Sequence, residues 1–259
     1  MINPAFSDLV EPTGQSEKLI YMNGSFKLDI LRYFSSLTSS DKFVDVGVNV
    51  GQTMLEVMAA WPYMQYFGFE PNPQAFCIAK ALANANNLNV KLFPWACSNR
   101  AAPQELYSIS AADSSATTIR EIRPDTYQNT IGEFIAAYTL DEVFLDHADF
   151  GFMLKIDVEG AENEVLEGAS ALLTKYRPLI LCEVLHAHRK KELRMNNWRK
   201  KLLYDFLVKY DYEVFSICVS SQDRDQFREL KKISGFTLNT LWSQSPHTCD
   251  FVFLPKELV

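Results

Sequence analysis

Phe43-Val44-Asp45-Val46-Gly47-Val48-Asn49-Val50-Gly51-Gln52-Thr53 is the stretch on which the fold turns. Lys42–Gly47 is an apolar run with one acid, and it reads as a buried strand ending in a turn. Thr53–Trp61 (TMLEVMAAW) follows with helical spacing. Two of the chain's ten glycines bracket the turn between them. A glycine-rich turn lets a ligand approach the backbone closely. The helix that follows aims unpaired N–H groups at that ligand. In open α/β sheets, ligands bind at this carboxyl end of the strands.

Outward from this turn the same alternation repeats. Tyr66–Glu70 is a second strand and Pro73–Asn84 a second helix, with Asn72 as N-cap and Pro73 at the first helical position. Val90–Ala96 and Phe152–Val158 (FMLKIDV) are a third and a fourth strand, and a helix is expected from Ala161 to Tyr176. Pro178–Leu185 is a fifth strand, Leu202–Tyr210 a helix, Tyr212–Val219 a strand and Phe251–Leu254 a last short strand. This order predicts a doubly wound, mostly parallel α/β sheet, covered on both faces. Residues 1–40 read as an N-terminal helical cap and residues 41–259 as one domain. Residues 99–140 are the least regular part.

Composition narrows the class. At 259 residues and 47% apolar, the chain builds a core without staples, and 13% aromatic content excludes low-complexity disorder. A net charge of -7 argues against a wholly basic nucleic-acid binder. Cys77, Cys97, Cys182, Cys218 and Cys249 form no C-x-x-C pair, so no structural zinc is expected. Reduced thiols in apolar runs point to a reducing compartment. Residues 1–15 lack the basic and apolar regions of a signal peptide, and no apolar run is long enough for a membrane span. A cytoplasmic protein is the expectation.

The first turn is G-x-x-x-G rather than G-x-G-x-x-G, with Asp45 two residues before the first glycine. That spacing suits an adenosine carrying an amino-acid tail better than a pyrophosphate. Asp45 or Asn49 would take the ammonium, and backbone N–H groups the carboxylate. Glu70, nineteen residues after Gly51, would accept the ribose hydroxyls. The plainer alternative is that Gly47 and Gly51 only shape a tight turn.

A second constellation runs Lys155-Ile156-Asp157-Val158-Glu159-Gly160-Ala161-Glu162-Asn163-Glu164. Asp157 falls at a strand end, beside the crevice. Glu159, Glu162 and Glu164 fall in the turn and the first helical turn, where acids complement the helix dipole without any further role. The fifth strand leads to Glu183, His186 and His188. His186 is a candidate general base, since imidazole titrates near neutrality. The H-x-H pair by itself is weak evidence for a metal.

Three blocks together resemble the FkbM family of S-adenosylmethionine-dependent methyltransferases: Phe43–Thr53, Gly68–Pro73 (GFEPNP) and Leu154–Ala169 (LKIDVEGAENEVLEGA). Weaker echoes are Thr139–Phe144, Ile180–His186 and Asp250–Pro255. The resemblance implies a Rossmann-like class I methyltransferase fold with a late antiparallel strand near Phe251–Leu254. It places Asp45, Gly47, Asn49, Gly51, Gln52 and Thr53 around the methionine part of S-adenosylmethionine. Glu70 would hold the ribose, Pro71 and Asn72 would flank the adenosine, and Cys97 and Ser98 would meet the adenine. Asp157 and Glu159 would face the methyl or its acceptor. Val48 stands where the family commonly has Ala. The family is known mostly for O-methylation, often of sugar or natural-product hydroxyls. No [DNS]-P-P-[YF] tetrapeptide occurs, which disfavours amino-methylation of nucleobases or glutamine.

The expected reaction is therefore methyl transfer to a hydroxyl. Asp157 and His186 are the candidate bases, with Glu159 and Glu183 as orienting partners. A nicotinamide-dependent oxidoreductase and a non-catalytic cofactor- or partner-binding module are the alternatives. His188–Lys201 (HRKKELRMNNWRKK) holds seven Lys/Arg against one Glu. It reads either as capture of an anionic acceptor, with Trp198 stacking on a sugar, or as a solvated helix face.

Overall fold

The computed structural model describes residue 30 and residues 40–110, 113–127, 130, 132–146, 151–219, 227–244 and 249–259. The expected helical cap over residues 1–40 lies outside these, apart from Ile30 and Ser40. Ile30 is helical and buried against Leu179, Leu181, Val252 and Leu254.

The first half runs β1 (Lys42–Val46), α1 (Gln52–Ala60), β2 (Gln65–Phe69), α2 (Pro73–Ala85) and β3 (Val90–Phe93). Four short strands follow: β4 (Ala96–Cys97), β5 (Gln104–Leu106), β6 (Glu133–Ile135) and β7 (Ala137–Tyr138). Then come α3 (Leu140–Phe144), β8 (Met153–Ile156), α4 (Glu162–Glu167), α5 (Ser170–Tyr176), β9 (Leu179–Glu183) and α6 (Leu193–Lys209). β10 (Tyr212–Val219), β11 (Phe227–Ile233) and β12 (Asp250–Pro255) complete the chain.

Eight strands form one sheet in the order β11-β10-β12-β9-β8-β1-β2-β3. The five from β9 to β3 are parallel. β12 is the late antiparallel strand, inserted between β9 and β10. The chain first grows outward from β1 to β3 and then returns to lay β8 beside β1. This reversal opens a crevice at the carboxyl ends of β1 and β8. The register there pairs Asp45 with Lys155 and Val46 with Ile156.

Period-two alternation sends the strands' side chains to two covered faces. Phe43, Tyr66 and Met153 pack with Val57 and Leu82 of α1 and α2. Val44, Val46, Leu154 and Ile156 pack with Val165, Leu172 and Leu203 of α4, α5 and α6. Asp45 and Lys155 share the first face with Phe43 and Met153, an apolar setting for two charges.

Several elements depart from the sequence reading. The third strand stops at Phe93, before Pro94, and Ala96–Cys97 pairs with β7 outside the main sheet. The helix expected over Ala161–Tyr176 is two helices broken at Gly168. A Cβ on Gly168 would lie 2.0 Å from the Ser98 carbonyl oxygen, so the chain passes where only glycine fits. The break is capped from elsewhere: Asp141 accepts from the N–H groups of Ala171 and Leu172, each at 2.9 Å. α6 begins at Leu193 rather than Leu202, so it takes in the second half of the basic segment. β11 lay unread because Arg228, Glu229, Lys231 and Lys232 break its apolar pattern. Charges of this kind suit a sheet edge, where they discourage pairing with another chain.

The glycine contacts give a direct test. Gly168→Ala should cost more than about 1 kcal/mol, read from the denaturant midpoint. Gly151→Ala, whose added Cβ meets nothing within 4 Å, should be neutral or stabilise by up to ~1 kcal/mol. Equal effects at the two positions would refute the packing account of the break.

Candidate functional site

The turn after β1 is built from backbone. Gly47 and Val48 N–H both donate to the Phe69 carbonyl, at 2.9 and 3.1 Å. Gly47 has φ +90°, and a Cβ there would lie 1.8 Å from the Asp157 carbonyl oxygen. The turn and the end of β8 therefore meet at a point only glycine can occupy. Asn49 is also left-handed, at φ 52°, and its N–H donates to Glu70 Oε2 at 2.7 Å. Asn72 N–H donates to Glu70 Oε1 at 2.8 Å. One backbone donor on each oxygen leaves further lone pairs for a pair of hydroxyls. Burial pushes the Glu70 carboxyl up, and the two N–H bonds oppose it. Asn72 caps α2, accepting from Gln74 and Ala75 N–H.

Above this turn opens a cavity of about 190 Å³. A single water needs about 10–15 Å³, so the space takes a multi-atom ligand. Gly47, Asn49, Glu70 and Pro71 form one wall, and Trp95, Ala96 and Cys97 a second. Residues 113–118, drawn from the irregular stretch, form a third. Asp157, Glu159 and Glu183 close the fourth side. A buried carboxylate offering lone pairs to vicinal hydroxyls, next to an apolar slot, fits the nucleoside half of S-adenosylmethionine. Burial raises the Cys97 thiol far above its usual range, so it serves as apolar lining.

Asp45 sits deeper than the sequence reading places it. It does not line the cavity but lies fully buried beneath it, bonded by the Tyr66 hydroxyl, with Lys155 Nζ 3.0 Å from Oδ1. Burial raises its carboxyl and the Lys155 charge opposes this. Its counter-charge is Lys155, not a ligand ammonium. The same Nζ donates to the Gly47 carbonyl at 2.7 Å and lies 3.4 Å from Asp157 Oδ2. Lys155 is the site residue that the sequence reading missed. Its signal was present: a lone lysine inside the apolar run FMLKIDV.

Gly51, Gln52 and Thr53 start α1 outside the cavity lining, with Gly51 at φ +98° against Ala79. Ser98 is buried, accepts from Gln104 Nε2 at 2.7 Å and faces a neighbouring surface groove.

Of the four candidate catalytic residues, Asp157, Glu159 and Glu183 reach the cavity. His186 does not. It is buried with Nδ1 2.8 Å from Lys200 Nζ, and burial and that charge lower it to about 4. Glu159 sits at the turn's left-handed position, φ 54°, with Arg123 Nη2 at 2.7 Å. Burial pushes its carboxyl up to about 7, against the Arg123 charge. Glu162 turns inward instead, accepting from Gly160 N–H at 2.8 Å, and burial pushes it up to about 7. Glu164 pairs with Arg199.

The basic segment also departs from expectation. Arg189 and Lys191 pair with Asp125, Arg199 with Glu164, and Lys200 with His186 and the Thr237 carbonyl. None of its seven cations lines the cavity, whose charged lining groups among the described residues are all acidic. No cluster of three or more His, Cys, Asp or Glu among the described residues suits a metal ion. Among the described residues, no helix is long and apolar enough to cross a membrane.

Comparison with known proteins adds a family. A family model described as the methyltransferase FkbM domain matches residues 45–214. No protein of curated function matches in sequence. Among solved structures, methyltransferase FkbM from Methylobacillus flagellatus KT aligns at 13% identity and a TM-score of 0.48. The alignment covers 83% of this chain and 43% of that one, so this chain spans less than half of that protein's length. Precorrin-6y C5,15-methyltransferase from Geobacter metallireducens GS-15 aligns at 11% identity and 0.38, covering 82% and 80% of the two chains. The plantazolicin methyltransferase BpumL in complex with SAH aligns at 10% and 0.42, covering 91% and 82%.

Two measurements test this electrostatic layout. Lys155→Met should cost about 3–5 kcal/mol in chemical unfolding, because it strands buried Asp45. Adding Asp45→Asn should recover part of that loss; strict additivity would refute the pairing. For Glu162 the folded carboxyl titrates at about 7, above its ordinary 4.5. Between these values the folded state holds a proton that the unfolded state lacks, so stability falls as pH rises through this window. Glu162→Gln should remove up to about 3 kcal/mol of that decline, measured by unfolding at a series of pH values.

Proposed function

The chain belongs to the FkbM methyltransferase family, and from that premise we propose that it methylates a hydroxyl of an uncharged sugar, glycan or small natural product. Its methyl donor is S-adenosylmethionine. The observation that carries this reading is one cavity holding Glu70, a fit for ribose, together with Asp157 at the end of β8.

When bound, S-adenosylmethionine supplies a methyl group that its sulfonium already makes electrophilic. The chain's own residues then have three tasks. Glu70 accepts the ribose hydroxyls, while Gly47 and Asn49 present backbone to the methionine portion. Pro71, Trp95 and Cys97 flank the base and keep water from it. Holding donor and acceptor in line is worth up to ~7–11 kcal/mol in ideal intramolecular models.

Asp157 receives the acceptor's hydroxyl proton. Lys155 Nζ lies 3.4 Å from its Oδ2 and holds the carboxylate in place. Glu183 orients the acceptor from the neighbouring strand end. Acidic lining groups repel phosphorylated and carboxylated acceptors. Ser114, Thr117 and Thr118 line the same cavity with groups suited to a polyhydroxyl compound.

Calorimetric titration with S-adenosylmethionine, S-adenosylhomocysteine and NAD in parallel tests the reading. Glu70→Ala should weaken the first two by at least about tenfold, the scale of a charge-assisted hydrogen bond. Asp157→Asn should keep S-adenosylhomocysteine affinity and lower kcat by about 10²–10⁴-fold in labelled-methyl transfer to hydroxyl acceptors. Binding of NAD alone would overturn it.

A further inference from the structure

Arg123 has no part in this chemistry, yet it is buried at the edge of the site. Its Nη2 donates to Glu159 Oε2 at 2.7 Å and its Nη1 to the Ser115 carbonyl at 3.4 Å. Its Nε is buried without a hydrogen-bond partner among the described residues. Burying an arginine–glutamate pair seldom repays its desolvation, so such a pair is weak evidence for stability. Glu159 adds a left-handed backbone, a strain that accumulates at functional sites.

The neighbouring residue pair makes the same connection. A Cβ on Gly160 would lie 1.9 Å from Ile122 Cδ1. The Ile122 side chain of the short 3₁₀ turn Arg120–Ile122 thus packs directly over the turn after β8, where Gly160 takes a left-handed φ of +106° that side-chain-bearing residues rarely adopt. Ile122–Gly160 and Arg123–Glu159 key the two segments together, residue against residue.

What they hold is a cavity wall. The Ser115 carbonyl that meets Arg123 also accepts from the buried Tyr127 hydroxyl at 2.5 Å. Asp113 is spent inside the same loop, accepting from Ser115 N–H and Ile109 N–H, both at 2.9 Å. Ser114, Thr117 and Thr118 are thereby left facing the cavity.

We infer that Arg123 is a positioning residue that ties this hydroxyl-bearing wall to Glu159 and so fixes the acceptor side of the cavity, leaving the cofactor side to Glu70 and Asn49. The assignment of sides rests on the methyltransferase reading; the clasp itself does not.

Hydrogen exchange read by mass spectrometry on the full chain, with and without S-adenosylhomocysteine, tests this. In Arg123→Ala, amides of residues 113–118 should exchange about tenfold faster or more, while β1 and β8 stay unchanged, the mark of a local opening. S-adenosylhomocysteine affinity should hold within about threefold, well under the loss of one charge-assisted bond. Glu159→Gln, whose amide oxygen still accepts from Arg123, should keep the slow exchange, and Glu159→Ala should lose it. If Arg123→Ala does not fold, Arg123→Lys, which reaches only one of the two partners, should show the same local effect in weaker form. Unchanged exchange at 113–118 would overturn the inference, as would acceleration of all slow amides together. A matching fall in S-adenosylhomocysteine affinity would overturn the assignment to the acceptor side. If the wild-type chain fails to bind S-adenosylhomocysteine, the methyltransferase reading fails, while the exchange contrast still decides the clasp.

Discussion

A single buried ammonium group organises the centre of this protein. Lys155 points from β8 into the face shared with β1, where it meets Asp45, the Gly47 carbonyl and Asp157. Two full charges in an apolar layer are costly unless paired. Pairing requires β1 and β8 in this register and no other, since a slip of one residue would send Lys155 to the opposite face. The topology that sets these strands side by side is the one that opens the crevice. The ion pair therefore couples the correctness of the fold to the placement of Asp157, a carboxylate that lines the cavity.

Around this centre the cavity has two sides of different origin. The Glu70 side is made by short-range geometry. Left-handed turns at Gly47 and Asn49 fold the backbone so that two N–H groups reach Glu70 from within about twenty residues of chain. The wall from residues 113–118 is assembled from afar, carried in by the irregular segment and held by Arg123 and Ile122 against the turn after β8. A family can keep the first side and vary the second, because loop segments tolerate change that a strand-to-helix turn does not.

The same difference explains what was legible in the chain. Glu70, Gly47 and Asn49 stood out because the turn geometry that brings them to one cavity depends on neighbours in sequence. Asp157 stood out as an acid ending an apolar strand. Asp45 was visible for the same reason, but its partner Lys155, 110 residues away on a neighbouring strand, was not. His186 looked like a base because imidazole titrates near neutrality, but Lys200 on α6 and burial remove that property. The basic segment read either as an anion-capturing stretch or as a solvated helix face, because charge counting alone does not show which cations find partners in the fold. The fold spends Arg189, Lys191, Arg199 and Lys200 on internal partners drawn from Asp125, Glu164, His186 and Thr237.

By itself, then, the sequence determined the alternation of strands and helices, the class of sheet and the glycine turn beside Glu70. Period-two and helical patterns, glycine turns and caps are local properties, and they survive without knowledge of the third dimension. Only the tertiary structure decided which charges meet, where the helix after β8 breaks, and which loop walls the cavity. Those outcomes rest on contacts between segments far apart in the chain. Their energies depend on burial and on the partner's position, and neither is written in the residues that flank them.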